Sequence, residues 1–182
     1  MAKALLITTQ DIPKYTAMNG GVDIDKFIQF VSIAQDIHLQ NLLGSDLLEK
    51  IQLEITNATL SGVYLALNTD YIKQTLIHYS MVEYLPFAAF SISNKGIYKH
   101  NSENSQNAEK IEVDFLIAKE RDIAEHYATR LVDYLCNNSA DFPEYSSNTG
   151  ADVIPDRNTV FNGWMLDNNI DRDRLDYNNL EL

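Results

Sequence analysis

Apolar residues recur at helical spacing through most of the first 137 residues and only in short clusters after them. Ile24, Phe27, Ile28, Val31, Ala34 and Ile37 predict a first helix over residues 23–40, with Asp23 as its N-cap and Gly44 closing the stretch at Leu42-Leu43-Gly44. Ser45 is the expected cap of a second helix that buries Leu47, Leu48, Ile51 and Ile55. Residues 57–62 break the pattern, and a short helical turn follows at residues 64–67. Thr69-Asp70 opens a third helix with Ile72, Leu76, Tyr79 and Val82 inward, which Pro86 should kink or end, with Phe87 to Phe90 able to resume as helix. Residues 92–98, Ile-Ser-Asn-Lys-Gly-Ile-Tyr, read as a tight β-hairpin, and residues 101–107 as a polar loop. The fourth helix is the longest, over residues 108–135, about 40 Å at 1.5 Å per residue. Phe115 or Leu116, Lys119, Ile123, Tyr127, Leu131 and Leu135 trace its expected inner face. Upstream, residues 5–16 read as extended or loosely helical around Pro13, and Asn19-Gly20-Gly21 as a turn.

The fold class is therefore mainly α: a four-helix-type bundle with one long C-terminal helix, a small β-hairpin and an extended C-terminal arm. The expected division is a helical core at residues 1–137 and an acidic arm at 138–182. The arm holds nine Asp and Glu against three Arg, while residues 1–137 hold 17 against 11. A quarter of the chain thus carries half of its net charge of −12. Such a segment buries too little apolar surface to offset the entropy of ordering it alone. It nevertheless carries Val153-Ile154, Val160-Phe161 and Trp164-Met165-Leu166 between Asn, Asp, Gly and Pro residues. Val153, Ile154, Phe161, Trp164, Met165 and Leu166 are accordingly the candidate partner-binding residues, Trp164 above all, because Trp is enriched among interface hot spots. The alternative, that the arm wraps over its own core, is equally compatible with the pattern.

Charge and cysteine content narrow the classes. A pI near 4.6 without any basic stripe argues against gripping nucleic acid, whose affinity comes from clustered Lys and Arg. One cysteine, Cys136, excludes an internal disulfide and reads as a half-buried packing residue at a helix end. The N-terminal apolar run is too short for a signal peptide, and no stretch approaches the roughly 18 apolar residues of a membrane helix.

No catalytic signature stands out, and neither a metal nor a cofactor is expected. His78 and Glu83 lie five residues apart, off the spacing of a helical metal pair, and Asp122 and His126 lack a second Glu-x-x-His. Residues 167–173 alternate oxygen ligands like the opening of a calcium loop. Arg172 stands where glycine must turn, however, and Asn178 where a bidentate Glu would close it.

Three stretches carry a family resemblance: Phe27-Ile28-Gln29 through Leu42-Leu43-Gly44; Tyr84-Leu85-Pro86-Phe87 to Ser93-Asn94-Lys95-Gly96; and Ala124-Glu125-His126-Tyr127 to Phe142-Pro143-Glu144-Tyr145. Over roughly residues 5–147 the chain resembles head–tail connector (neck adaptor) proteins of tailed phages of Bacteroidetes, including crAss-like phages. The resemblance implies a non-enzymatic virion protein, made in the host cytoplasm and placed at the neck. It also implies a homo-oligomeric ring of portal symmetry, a dodecamer, that docks on the portal and other neck or tail proteins and extends the DNA channel without binding DNA specifically. An acidic wall repeated around such a ring would let DNA pass without trapping it. The alternative is a non-viral acidic helical protein-binding module.

Overall fold

The computed structural model describes residues 3–8, 10–18, 24–88, 90–93, 96–99, 109–147 and 152–156. The protein is mainly helical. Its elements are α1 (Asp11–Tyr15), α2 (Ile24–Ala34), a π turn (Gln35–Leu39), α3 (Gln40–Leu43), α4 (Ser45–Thr56), α5 (Gly62–Leu67), a second π turn (Asn68–Ile72), α6 (Lys73–Ala88), β1 (Phe90–Ser93), β2 (Gly96–Lys99), α7 (Lys110–Asn137) and α8 (Pro143–Ser146). The two strands pair antiparallel, with Phe90 opposite Lys99 and Ile92 opposite Ile97.

Both π turns sit inside what would otherwise be single helices, and each shifts the inward register by one residue. Along the first, burial steps from Phe27 through Val31 and Ala34 to Leu39 and Leu43. Ile37, expected inside, is instead exposed, and His38 turns toward α6. Along the second, the buried series runs Leu67, Ile72, Leu76, so the expected break between a short turn and a third helix becomes a continuous α5–π–α6 run. Pro86 does not end α6, which continues to Ala88.

Helix α6 is buried almost all round, because α2 packs on one side of it and α7 on the other. Its buried hydroxyls are satisfied within the helix: Thr75 Oγ1 donates to the Tyr71 carbonyl at 3.0 Å and Ser80 Oγ to the Leu76 carbonyl at 2.6 Å. Two histidines join neighbouring helices through this central element. His38 Nε2 lies 2.8 Å from Glu83 and its ring stacks on Tyr79, while His78 Nδ1 lies 2.8 Å from Glu120 and its ring stacks on Tyr127. His78 and Glu83 thus serve different partners on opposite sides of α6.

The expected inner face of α7 is rotated. Ala124, Ala128, Leu131, Val132 and Leu135 face the core, whereas Phe115, Leu116 and Ile123 are exposed. Two alanines let α6 approach closely, and a search for large apolar residues passes over them. The helix starts with a reciprocal capping box between Glu109 and Glu112.

The chain before α2 belongs to the core through Leu6, Ile7 and Ile12. The buried Gln35 amide clamps it: Leu6 N–H donates to Oε1 at 3.2 Å, and Nε2 donates to the Ala4 carbonyl at 3.1 Å. Asp11 Oδ2 accepts from the Thr8 N–H at 2.9 Å and the Thr8 hydroxyl at 2.8 Å, and meets Lys73 Nζ at 3.3 Å. Burial pushes the Asp11 carboxyl up, but the Thr8 donors and the Lys73 charge outweigh it and hold the group below its ordinary value of 3.8. A depressed carboxylate stabilises the fold above its unfolded value and loses that contribution as pH falls through the native one. Asp11→Asn should therefore lower the melting temperature at pH 7, and the gap to wild type should close as pH drops below 3.8. A gap that is equal at both pH values would show that the charge is not what matters.

Candidate functional site

At the α3–α4 corner, Gly44 takes φ +75° and ψ 162°, a conformation reserved for glycine. The chain turns sharply there and exposes the first backbone groups of α4. Ser45, expected to cap α4, is instead its first residue and bridges three segments. Its N–H donates to the Val153 carbonyl at 2.9 Å, and its Oγ accepts from the Val153 N–H at 3.1 Å and from Gln40 Nε2 at 2.9 Å. Asp156 N–H donates to the Asn41 carbonyl at 2.7 Å. Pro155 is buried over Gly44, where an added Cβ would lie 2.6 Å from its Cδ.

An extended piece of the arm, residues 152–156, is thus laid across this corner and held by backbone hydrogen bonds. Gly44→Ala combines a left-handed φ with a collision against the proline ring. It is expected to cost about 2–4 kcal/mol in chemical denaturation. A loss under about 1 kcal/mol would mean that the corner gives up both this backbone conformation and its contact with the proline at little cost.

The expected core–arm boundary at residue 137 falls inside the packed unit. Phe142 and Tyr145 are fully buried. The Phe142 ring meets Tyr64 edge-on at 5.5 Å and Tyr134 at 6.0 Å. Tyr64 donates to Glu144 Oε2 at 2.7 Å, and burial together with that carboxylate pushes the phenol above its usual range. Ser147 Oγ donates to Asp46 Oδ2 at 3.1 Å. Polar composition hid two aromatic anchors in an otherwise solvated stretch.

Of the six candidate partner-binding residues, Val153 is half-buried against its own chain and Ile154 points outward at 60% exposure. Phe161, Trp164, Met165 and Leu166 lie outside the described residues, as does the calcium-like stretch at residues 167–178. A surface that the sequence reading did not single out lies on the N-terminal half of α7. There Ile111 is 77% and Phe115 61% exposed, with Leu116 and Ile123 on the adjoining flank. Phe87 and Phe90 are also exposed, at the far end of α6 and the start of β1. The signal for the α7 surface was available: once Ala124 and Ala128 are set inward, Ile111 and Phe115 must point outward.

Among the described residues no group of three or more His, Cys, Asp or Glu is placed to hold a metal ion. No helix there is long and apolar enough to cross a membrane. Cys136 is exposed rather than half-buried, in the last turn of α7.

No curated protein and no solved structure matches the chain. One family model does, over residues 39–154, from the end of the first π turn to the docked segment. That span takes in most of the chain, including the corner that receives the arm and the whole of α7, so the protein belongs to DUF6712, a family of unknown function.

Proposed function

We propose that the protein is a structural virion component, a head–tail connector subunit that forms a ring of portal symmetry and extends the DNA channel beneath the portal. In this reading a four-helix-type bundle with its hairpin forms the ring body. The arm beyond the docked segment reaches a partner through Ile154, Phe161, Trp164, Met165 and Leu166. Val153 is reassigned to anchoring the arm on its own core.

The observation that carries the proposal is the apolar surface of α7, where Ile111, Phe115, Leu116 and Ile123 are exposed and no described residue covers them. Large apolar residues grouped this way mark an interaction surface. The resemblance over residues 5–147 supplies the kind of assembly, and the net charge of −12 suits a wall past which DNA slides.

The test is the light-scattering mass of the protein co-purified with the portal protein encoded near it, alongside an Ile111→Glu/Phe115→Glu variant. The expected result is a complex with many copies of each chain, lost in the variant while its melting temperature is unchanged. Two folded, separate proteins would overturn the reading in favour of a free-standing acidic binding module.

A further inference from the structure

A half-open groove of about 890 Å³ runs beside the face of α4 that carries Leu48, Glu49, Gln52 and Leu53. Lys3 and Ala4 form one wall and Asp152, at the start of the docked segment, stands at its edge. The groove is separate from the α7 surface and stands independently of the connector reading.

Three features specify what fits. Leu53 is 56% exposed in the middle of an α4 face, offering apolar contact that nothing in the chain's described part covers. Gln52 Nε2 is enclosed without an acceptor among the described residues, and a turn of its amide toward the groove would let an entering backbone carbonyl satisfy it. Glu49 and Asp152 have no ion-pair partner among the described residues, whereas Lys3, the one cation among the described residues that line the groove, pairs with Asp36 at 2.9 Å. The uncompensated charge at the groove is therefore negative. The corner that adjoins it already holds one extended segment by main-chain hydrogen bonds, through Ser45 and Val153.

The geometry points to a docking groove for an extended segment of a partner protein, with one large apolar side chain between basic residues. The apolar side chain covers Leu53, the basic flanks meet Glu49 and Asp152, and a backbone carbonyl accepts from Gln52 once its amide has turned into the groove. This is peptide capture on a helix-lined groove, in which side-chain contacts supply both affinity and specificity.

The full-length protein is tested by fluorescence anisotropy against four synthetic peptide sets. These are Leu, Met, Phe or Trp centred between Lys and Arg; the same centres between Asp and Glu; Ser centred between Lys and Arg; and the chain's own residues 157–168. The first set should bind best, with amide NMR shifts on α4. Leu53→Asp and Glu49→Lys, both surface changes checked by melting temperature, should each weaken it about tenfold or more. Four results each overturn the proposal: no binding by the basic–apolar set, equal binding by the acidic set, indifference to both substitutions, or preference for the 157–168 peptide, which would make the chain's own arm the occupant.

Discussion

Phe142→Ala should cost about 3–5 kcal/mol, enough to leave the protein largely unfolded near physiological temperature if its stability is ordinary. Phe142 is fully buried and meets Tyr64 and Tyr134, so truncation opens a cavity lined by aromatic rings. The surrounding groups have little freedom to collapse into it. Tyr64 is held by its hydrogen bond to Glu144, and Tyr134 stacks on Tyr71 at 4.2 Å. Urea denaturation followed by circular dichroism measures the effect. A loss near 1 kcal/mol, the usual surface-to-average range, would return residues 138–147 to the arm and undo the boundary drawn here.

Shortening the chain at two positions separates anchoring from partner contact. A chain ending at Asp156 keeps Val153 and Pro155 on the Gly44 corner, together with all the buried residues named above. Its melting temperature should stay within about 2 °C of wild type while assembly with the portal is lost. A chain ending at Ser147 also strips the docked segment and leaves the Ser45 N–H and the Gly44 surface uncovered. That deletion removes hydrogen bonds and a buried proline, and should lower the melting temperature by about 5 °C or more. Scanning calorimetry and light scattering on the same samples read both quantities. If the two truncations melt alike, the docked segment contributes nothing. If the chain ending at Asp156 still assembles, residues 157–182 are not the contact.

Helix content was legible in the sequence because periodicity reports on it directly. Phe27, Val31 and Ala34 on α2, Leu47, Leu48 and Ile51 on α4, and Leu131 and Leu135 on α7 are buried as their spacing implies. Side chains at such spacing share one face whatever the rest of the chain does. The errors came where local pattern and global packing disagree. A π turn adds a residue to the register without leaving a compositional mark, which is why Ile37 was set inside and is exposed. On α7 the aromatic and branched residues of the N-terminal half outweighed two alanines. Burial there depends on how closely α6 comes, and no single helix contains that information.

The candidate site was less legible. Val153 and Ile154 stood out as apolar residues in a polar stretch, but their opposite fates depend on a strand-like segment meeting the corner at Gly44. Gly44 was noticed as a helix end, and its second role as the floor beneath Pro155 involves a residue 111 positions away.

By itself, then, the sequence determined a mainly helical chain, its acidic balance, the helix segments and the polar character of the last quarter. These follow from composition and from contacts within a few residues along one helix. The tertiary structure alone decided which faces are covered: that α6 is central, that Phe142 and Tyr145 close the core, that residues 152–156 dock on the α3–α4 corner, and that no other described residue covers Ile111 and Phe115. Burial is a property of pairs of distant surfaces, and long stretches of chain, 111 positions between Gly44 and Pro155, separate the partners here. Local pattern restricts which faces are available for packing, and only the packed chain selects among them.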